Sequence, residues 1–108
     1  MTIYENITQL IGQTPMLKIG KLVRPEMAAI FAKLESWNPM GSIKDRICLN
    51  MIEMAEQDGK IVPGDTLVEP TSGNTGVGLA YISAVKGYRL VLTMPASMSI
   101  ERKKIVEA

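Results

Sequence analysis

The stretch Thr66-Leu67-Val68-Glu69-Pro70-Thr71-Ser72-Gly73-Asn74-Thr75-Gly76, followed by the helix-like run from Val77 to Lys86, decides how this chain is read. Thr66 to Glu69 has the composition of a strand, and the small-residue turn 70–76 ends it and opens a helix. Such a turn points several backbone N–H groups at one spot, and Ser72, Asn74 and Thr75 add short polar side chains there. Helix-terminal amides lack intrahelical partners and the helix dipole favours negative charge, so the arrangement suits an anion. The glycine order, G-x-x-G-x-G, is neither the dinucleotide fingerprint nor a Walker loop. The expected anion is therefore a carboxylate or another small acid group, not a pyrophosphate. Taken alone, the turn is either such a cradle or a plain strand-to-helix connection.

A second polar cluster lies upstream, Asn38-Pro39-Met40-Gly41-Ser42-Ile43-Lys44-Asp45-Arg46. Pro and Gly mark a turn after the apolar run Ile30 to Leu34. Ser42 is a candidate N-cap, and Asp45, three residues on, completes a loose capping box. Apolar side chains at 43, 47, 48, 51, 52 and 55 have the spacing of one helix face, which predicts a helix over 43–57 closed by Asp58-Gly59. Lys44 then falls in the first turn, where the dipole disfavours a cation. An amine held there and partly desolvated has its pKa pushed down and can act as a nucleophile or Schiff base. The ordinary alternative is an exposed lysine balanced by Asp45.

The two clusters together, with Ile11-Gly12-Gln13-Thr14-Pro15 near the start and Met94-Pro95-Ala96-Ser97-Met98-Ser99-Ile100-Glu101-Arg102 near the end, resemble the cysteine synthase family, the O-acetylserine sulfhydrylases. Four motifs in the family's order and approximate spacing cover essentially the whole chain. Cystathionine β-synthases share these motifs; threonine dehydratases have the same fold, but their asparagine loop usually reads differently. The resemblance implies a pyridoxal-phosphate enzyme of the tryptophan-synthase-β-like fold (fold type II), a parallel three-layer α/β sheet. It makes Lys44 the Schiff-base lysine and general base. It makes Asn74 a partner of the cofactor's phenolic oxygen, and gives the substrate α-carboxylate to Thr71, Ser72, Gly73 and Thr75. The implied reaction replaces the acetate of O-acetylserine by sulfide to yield cysteine. A homodimer, with the segment from Tyr4 to Leu17 contributing, and docking of serine acetyltransferase are also implied.

Family members are much longer. A glycine-rich loop for the cofactor phosphate and a serine for its ring nitrogen are expected beyond residue 108, with Gly73, Gly76 and Gly78 committed to the carboxylate loop. Residues 1–108 are accordingly expected to form a single partial domain, and a non-catalytic relative that binds a small carboxylate is the alternative.

The remaining composition agrees. A chain of 108 residues, 46% apolar and only 5% aromatic, suits one aliphatic α/β core. Twelve basic and eleven acidic residues give a net charge of +1, and no basic patch is interleaved with aromatics, so nucleic-acid binding has no support. No apolar run is long enough to span a membrane, and the start, Met1-Thr2-Ile3-Tyr4-Glu5-Asn6-Ile7, does not have the pattern of a signal peptide. The expectation is a cytoplasmic protein. The absence of histidine removes Ser-His-Asp and Cys-His catalysis and leaves a transition-metal site without its usual ligands.

Cys48 is expected in the core rather than as a reactive thiol. Met51 and Met54 are read as core filler, and Trp37 as a packing residue. Met16 to Ile19, Ile30 to Leu34, 66–69 and Arg89 to Thr93 read as strands, 75–86 as a helix, and a further helix is expected from near Ser97. Strand–helix alternation with short links argues for a right-handed parallel α/β unit. Both polar clusters then lie at carboxyl ends of strands, where such sheets bind ligands. So few parallel strands leave an unpaired sheet edge.

Overall fold

The structure, a computed structural model, describes residues 1–71, 73–97, 100–101 and 104. Strands β1 (Met16–Lys18) and β2 (Phe31–Lys33) come first, then helix α1 (Lys44–Gln57), strand β3 (Thr66–Pro70), helix α2 (Asn74–Lys86) and strand β4 (Arg89–Thr93). Single 3-10 turns at Ile7–Leu10 and Glu35–Trp37 flank the first two strands. The helix expected from Ser97 falls largely on residues outside those described.

β3 and β4 pair in parallel, from Thr66 opposite Arg89 to Pro70 opposite Thr93, and α2 joins them. This is the parallel α/β unit expected from the alternation. β1 and β2 do not belong to it: they pair with each other antiparallel, Met16 opposite Lys33 and Lys18 opposite Phe31, as a separate two-stranded ribbon. The segment between them contains no helix among the described residues to carry a parallel crossover, so the ribbon folds back on itself.

Local chemistry sets the ends of the helices. Ser42 Oγ accepts from the Lys44 amide at 3.1 Å, so the expected cap is present one residue before Ile43, the formal cap position. The acidic partner works differently from a capping box, because Asp45 reaches back to the Met40 amide. Gly59, at φ +66°, takes the left-handed conformation that ends α1, with Lys60 N donating to Ala55 O. Gly87, at φ +80°, does the same for α2, with Tyr88 N donating to Ser83 O.

The core lies where the two helices cross. Cys48 and Ile52 from α1, Leu79 and Ile82 from α2, and Tyr88 are buried, and Leu67 of β3 and Leu90 of β4 pack against them. A fully buried aliphatic side chain contributes about 1.5–3 kcal/mol, so Ile52, Leu79 and Ile82 are the principal apolar stabilisers of the crossing. Tyr88 also ties the far ends together, its hydroxyl donating to Glu56 Oε1 at 2.9 Å beside the Lys86–Glu56 ion pair.

The buried face of α1 differs from the one expected. Asp45, Cys48 and Ile52 face α2, whereas Ile43 (51% exposed), Ile47 and Met51 (42% each) and Met54 (47%) form a line on the open side. Met51 and Met54 are therefore not core filler. Packing follows the line 45, 48, 52, spaced three and four residues apart, and this turns the neighbouring line away. Trp37 is likewise exposed (69%) rather than packed. The radius of gyration, 17.2 Å, exceeds the roughly 13 Å of a compact domain of this length. The chain is thus an open body with apolar faces uncovered. Among the described residues no helix is long and apolar enough to cross a membrane, and no group of metal-ligating side chains gathers.

Candidate active site

Lys44 is the first residue of α1, and the turn 71–76 is the entrance to α2. Two close contacts bring these starts together. Cys48 Sγ donates to Thr75 O at 3.3 Å, across 27 residues of chain. One turn further along α2, Gly78 lies so close to α1 that a Cβ on it would stand 2.8 Å from Cys48 Sγ and 3.5 Å from Lys44 O. Gly78 thus belongs to a helix crossing and not, as the spacing suggested, to the carboxylate loop. Gly76 is also closely packed, since a Cβ there would lie 2.9 Å from Thr71 Cγ2 and 3.2 Å from Leu92 Cδ1.

The carboxylate turn sits at the carboxyl end of β3, where Thr71 N donates to Thr93 O at 3.0 Å and extends the parallel pairing by one residue. Gly73 caps α2 without a side-chain hydrogen bond, and the first intrahelical bond is Val77 N to Gly73 O at 3.3 Å. The amides of Asn74, Thr75 and Gly76 are by helix geometry the ones without intrahelical acceptors. They form a donor set with a favourable dipole for an anion. Thr71, Gly73 and Thr75 are half-buried around them and Asn74 is exposed. Ser72, expected in the same set, lies outside the described residues.

Lys44 is half-buried, and among the described residues its ammonium makes no hydrogen bond or ion pair. The residues beside it are firmly held. Arg46 grips Glu35 with two bonds, Nε to Oε2 at 2.8 Å and a terminal nitrogen to Oε1 at 3.0 Å, and also donates to Thr14 Oγ1 at 3.1 Å. Thr14 Oγ1 in turn donates to Glu35 Oε1 at 2.6 Å. Buried Asn38 donates to Glu35 Oε2 (2.7 Å), Glu35 O and Ser42 O, and accepts from the Gly12 amide at 2.9 Å. The Arg46 hydrogen bond, helped by Thr14, lowers the Glu35 carboxyl to about 2. This network spans the Gly12–Thr14 segment, the lysine turn and α1. Sequence reading singled out Gly12, Thr14, Asn38 and Arg46 only as motif letters. Glu35 carried no signal, because an acidic residue after a strand is ordinary on its own.

Cys48 is fully buried and its thiol is pushed up to about 11, first by burial and then by the charge of Asp45. The core reading of this cysteine holds.

A free amine on one helix start, docked against a second helix start whose amides are uncapped, suits a cofactor aldehyde beside an amino-acid carboxylate. Comparison with known proteins agrees with that chemistry: residues 7–108 match the pyridoxal-phosphate dependent enzyme family, and the chain belongs to it. The cofactor of that family is pyridoxal phosphate. More particularly, the chain is 58% identical over 104 residues to a cysteine synthase of Staphylococcus aureus, covering 96% of this chain and 34% of the relative. Among solved structures, it is similar to O-acetylserine sulfhydrylase isoform 3 of Entamoeba histolytica, at 43% identity and a TM-score of 0.92 over 98% of this chain and 33% of that one. A hydrogen sulfide-producing enzyme of Fusobacterium nucleatum is 46% identical with a TM-score of 0.91, over 99% of this chain and 35% of that one. The chain therefore spans about a third of the length of the relatives it matches.

Proposed function

We propose that these residues form the lysine-bearing part of a cysteine synthase, an enzyme that converts O-acetylserine and hydrogen sulfide to cysteine and acetate. The observation that supports the reading is the docking of α1, the helix that begins at Lys44, on the open start of α2 through the Cys48–Thr75 contact. The similarity to relatives named cysteine synthase and O-acetylserine sulfhydrylase supports the choice of substrates.

In this reading the amides at the start of α2, with Thr71, Ser72, Gly73 and Thr75, bind and orient the substrate carboxylate. That fixes the face of the α-carbon presented to Lys44. Lys44 Nζ would hold the cofactor through its aldehyde carbon, with loss of water, and as a free amine would take the α-proton. Asn74 would hold the phenolic oxygen of the cofactor. Pyridoxal phosphate, when bound, supplies the electron sink that makes the α-proton acidic. Overall, the bond from the β-carbon to the acetate oxygen breaks and one to sulfur forms, while the proton lost from the α-carbon returns to it. Residues 1–108 then constitute one partial domain, with phosphate and ring-nitrogen contacts beyond residue 108. A cytoplasmic homodimer in which Tyr4 to Leu17 contributes, open to docking by serine acetyltransferase, completes the proposal.

The test is covalent trapping. The protein is incubated with pyridoxal phosphate, reduced with borohydride and digested, with Lys33 and Lys60 as internal controls. Selective phosphopyridoxyl mass on Lys44, lost in Lys44→Ala, is the expected result. Label spread evenly over the three lysines would sink the reading.

A further inference from the structure

Asp45 is a carboxylate that the proposed reaction does not use, and it is fully buried. Its Oδ2 accepts from the Met40 amide at 2.7 Å, in the turn that leads into Lys44. Its Oδ1 is buried without a hydrogen-bond partner, and so is the Tyr81 hydroxyl on α2. Burial raises the Asp45 carboxyl, whereas the Met40 amide and the Tyr81 hydroxyl pull it back; burial and then the Asp45 charge raise the Tyr81 phenol. A buried carboxylate is costly unless its oxygens are satisfied, and the Tyr81 hydroxyl is the donor that acts on this one. Cys48 on α1 and Glu35 are the other titratable groups that feel or perturb Asp45.

Lys44 thus directly precedes two anchored residues. Arg46 is fixed to Glu35 and Thr14, and Asp45 is fixed to the Met40 amide. We propose that Asp45 is the positioning residue of the Lys44 turn, clamping the Met40 amide and, through Tyr81, the flank of α2 into one rigid corner. The inference rests on Lys44 being the cofactor lysine. With the two residues after it held and its own amide bonded to Ser42 Oγ at 3.1 Å, the lysine backbone is fixed at the start of α1.

The test uses Asp45→Ala, Asp45→Asn and Tyr81→Phe, each read in two ways. The first is hydrogen exchange of the Met40 amide without cofactor. The second is the ratio of phosphopyridoxyl label on Lys44 to that on Lys33 and Lys60, alongside the melting temperature. Asp45→Ala is expected to speed Met40 exchange and to lower label selectivity, each about tenfold, the equivalent of ~1.4 kcal/mol for one buried hydrogen bond. Asp45→Asn, which keeps an acceptor for Met40 and can donate to the Tyr81 oxygen, should restore both. Tyr81→Phe should lower selectivity about threefold with little change in melting temperature. Wild-type values in Tyr81→Phe, or equal losses in Asp45→Asn and Asp45→Ala, would overturn the proposal. Tyr81→Phe removes a single oxygen and so decides the matter if Asp45→Ala does not fold. Were wild-type Lys44 to take no selective label, the cofactor-lysine reading would fail, while Met40 exchange would still decide whether the corner exists.

Discussion

Gly78→Ala tests whether the crossing of α1 and α2 sets the site. The added Cβ would sit 2.8 Å from Cys48 Sγ, 3.4 Å from Cys48 Cβ and 3.5 Å from Lys44 O. An ordinary carbon–sulfur contact is near 3.7 Å, so either the helices part by roughly 1 Å or the thiol rotates. Rotation surrenders the bond to Thr75 O, and parting the helices loosens Ile52, Leu79 and Ile82. Overpacking of this kind costs about 1–3 kcal/mol. Opposing it, alanine is favoured over glycine inside a helix by about 1 kcal/mol. The net expectation is a loss of about 1 kcal/mol, or a fall of roughly 4–8 °C in melting temperature for a domain of this size. Thermal and urea unfolding measure it. The double variant Gly78→Ala/Cys48→Ala provides the internal check. It removes the offending sulfur, so it should be more stable than the sum of the single changes by a coupling of roughly 0.5–3 kcal/mol. If Gly78→Ala instead raised stability by the full helix-propensity gain, the close-contact argument would be wrong.

Two further outcomes follow from the titrating groups. Glu35 is held at about 2 against an ordinary 4.5, so the stability it contributes is fully present above pH 4.5 and is lost as pH falls toward 2. Asp45, raised by burial, acts in the opposite sense and is relieved in acid; comparing Glu35→Gln with the parent across pH 2–6 isolates the Glu35 part, and an unchanged acid slope would refute it. Cys48, buried and raised to about 11, should resist a thiol reagent at neutral pH until the protein is unfolded in urea, whereas prompt labelling of the native protein would contradict the packing described.

Much of this arrangement was legible in the sequence because punctuation and period are local properties. Gly59 and Gly87 adopt the left-handed conformations that end α1 and α2, and the boundaries of β4 follow the run Arg89 to Thr93. The turn at 70–76 does lie between a strand and a helix, as its small residues suggested. The failures concern partners. An apolar stripe reports that a helix has a buried side, but α1 turns Asp45 inward and leaves Ile43, Ile47 and Met51 outside, because its neighbour α2 presents Tyr81 and Gly78 to that line. The pairing of β1 with β2 was equally invisible, since strand composition does not encode direction. The same is true of Glu35, which matters only because Thr14, Asn38 and Arg46 converge on it from three segments.

The β3–α2–β4 unit closes within residues 66–93, by pairing Thr66 with Arg89. The helix that starts at Lys44 docks on it through a contact that spans 27 residues, a loop of similar length and so of similar closure entropy. The two halves of the candidate site therefore melt together, because Cys48 and Ile52 of α1 share one core with Leu79 and Ile82 of α2. The Cys48–Gly78 crossing is the point at which an otherwise local structure becomes a site at all.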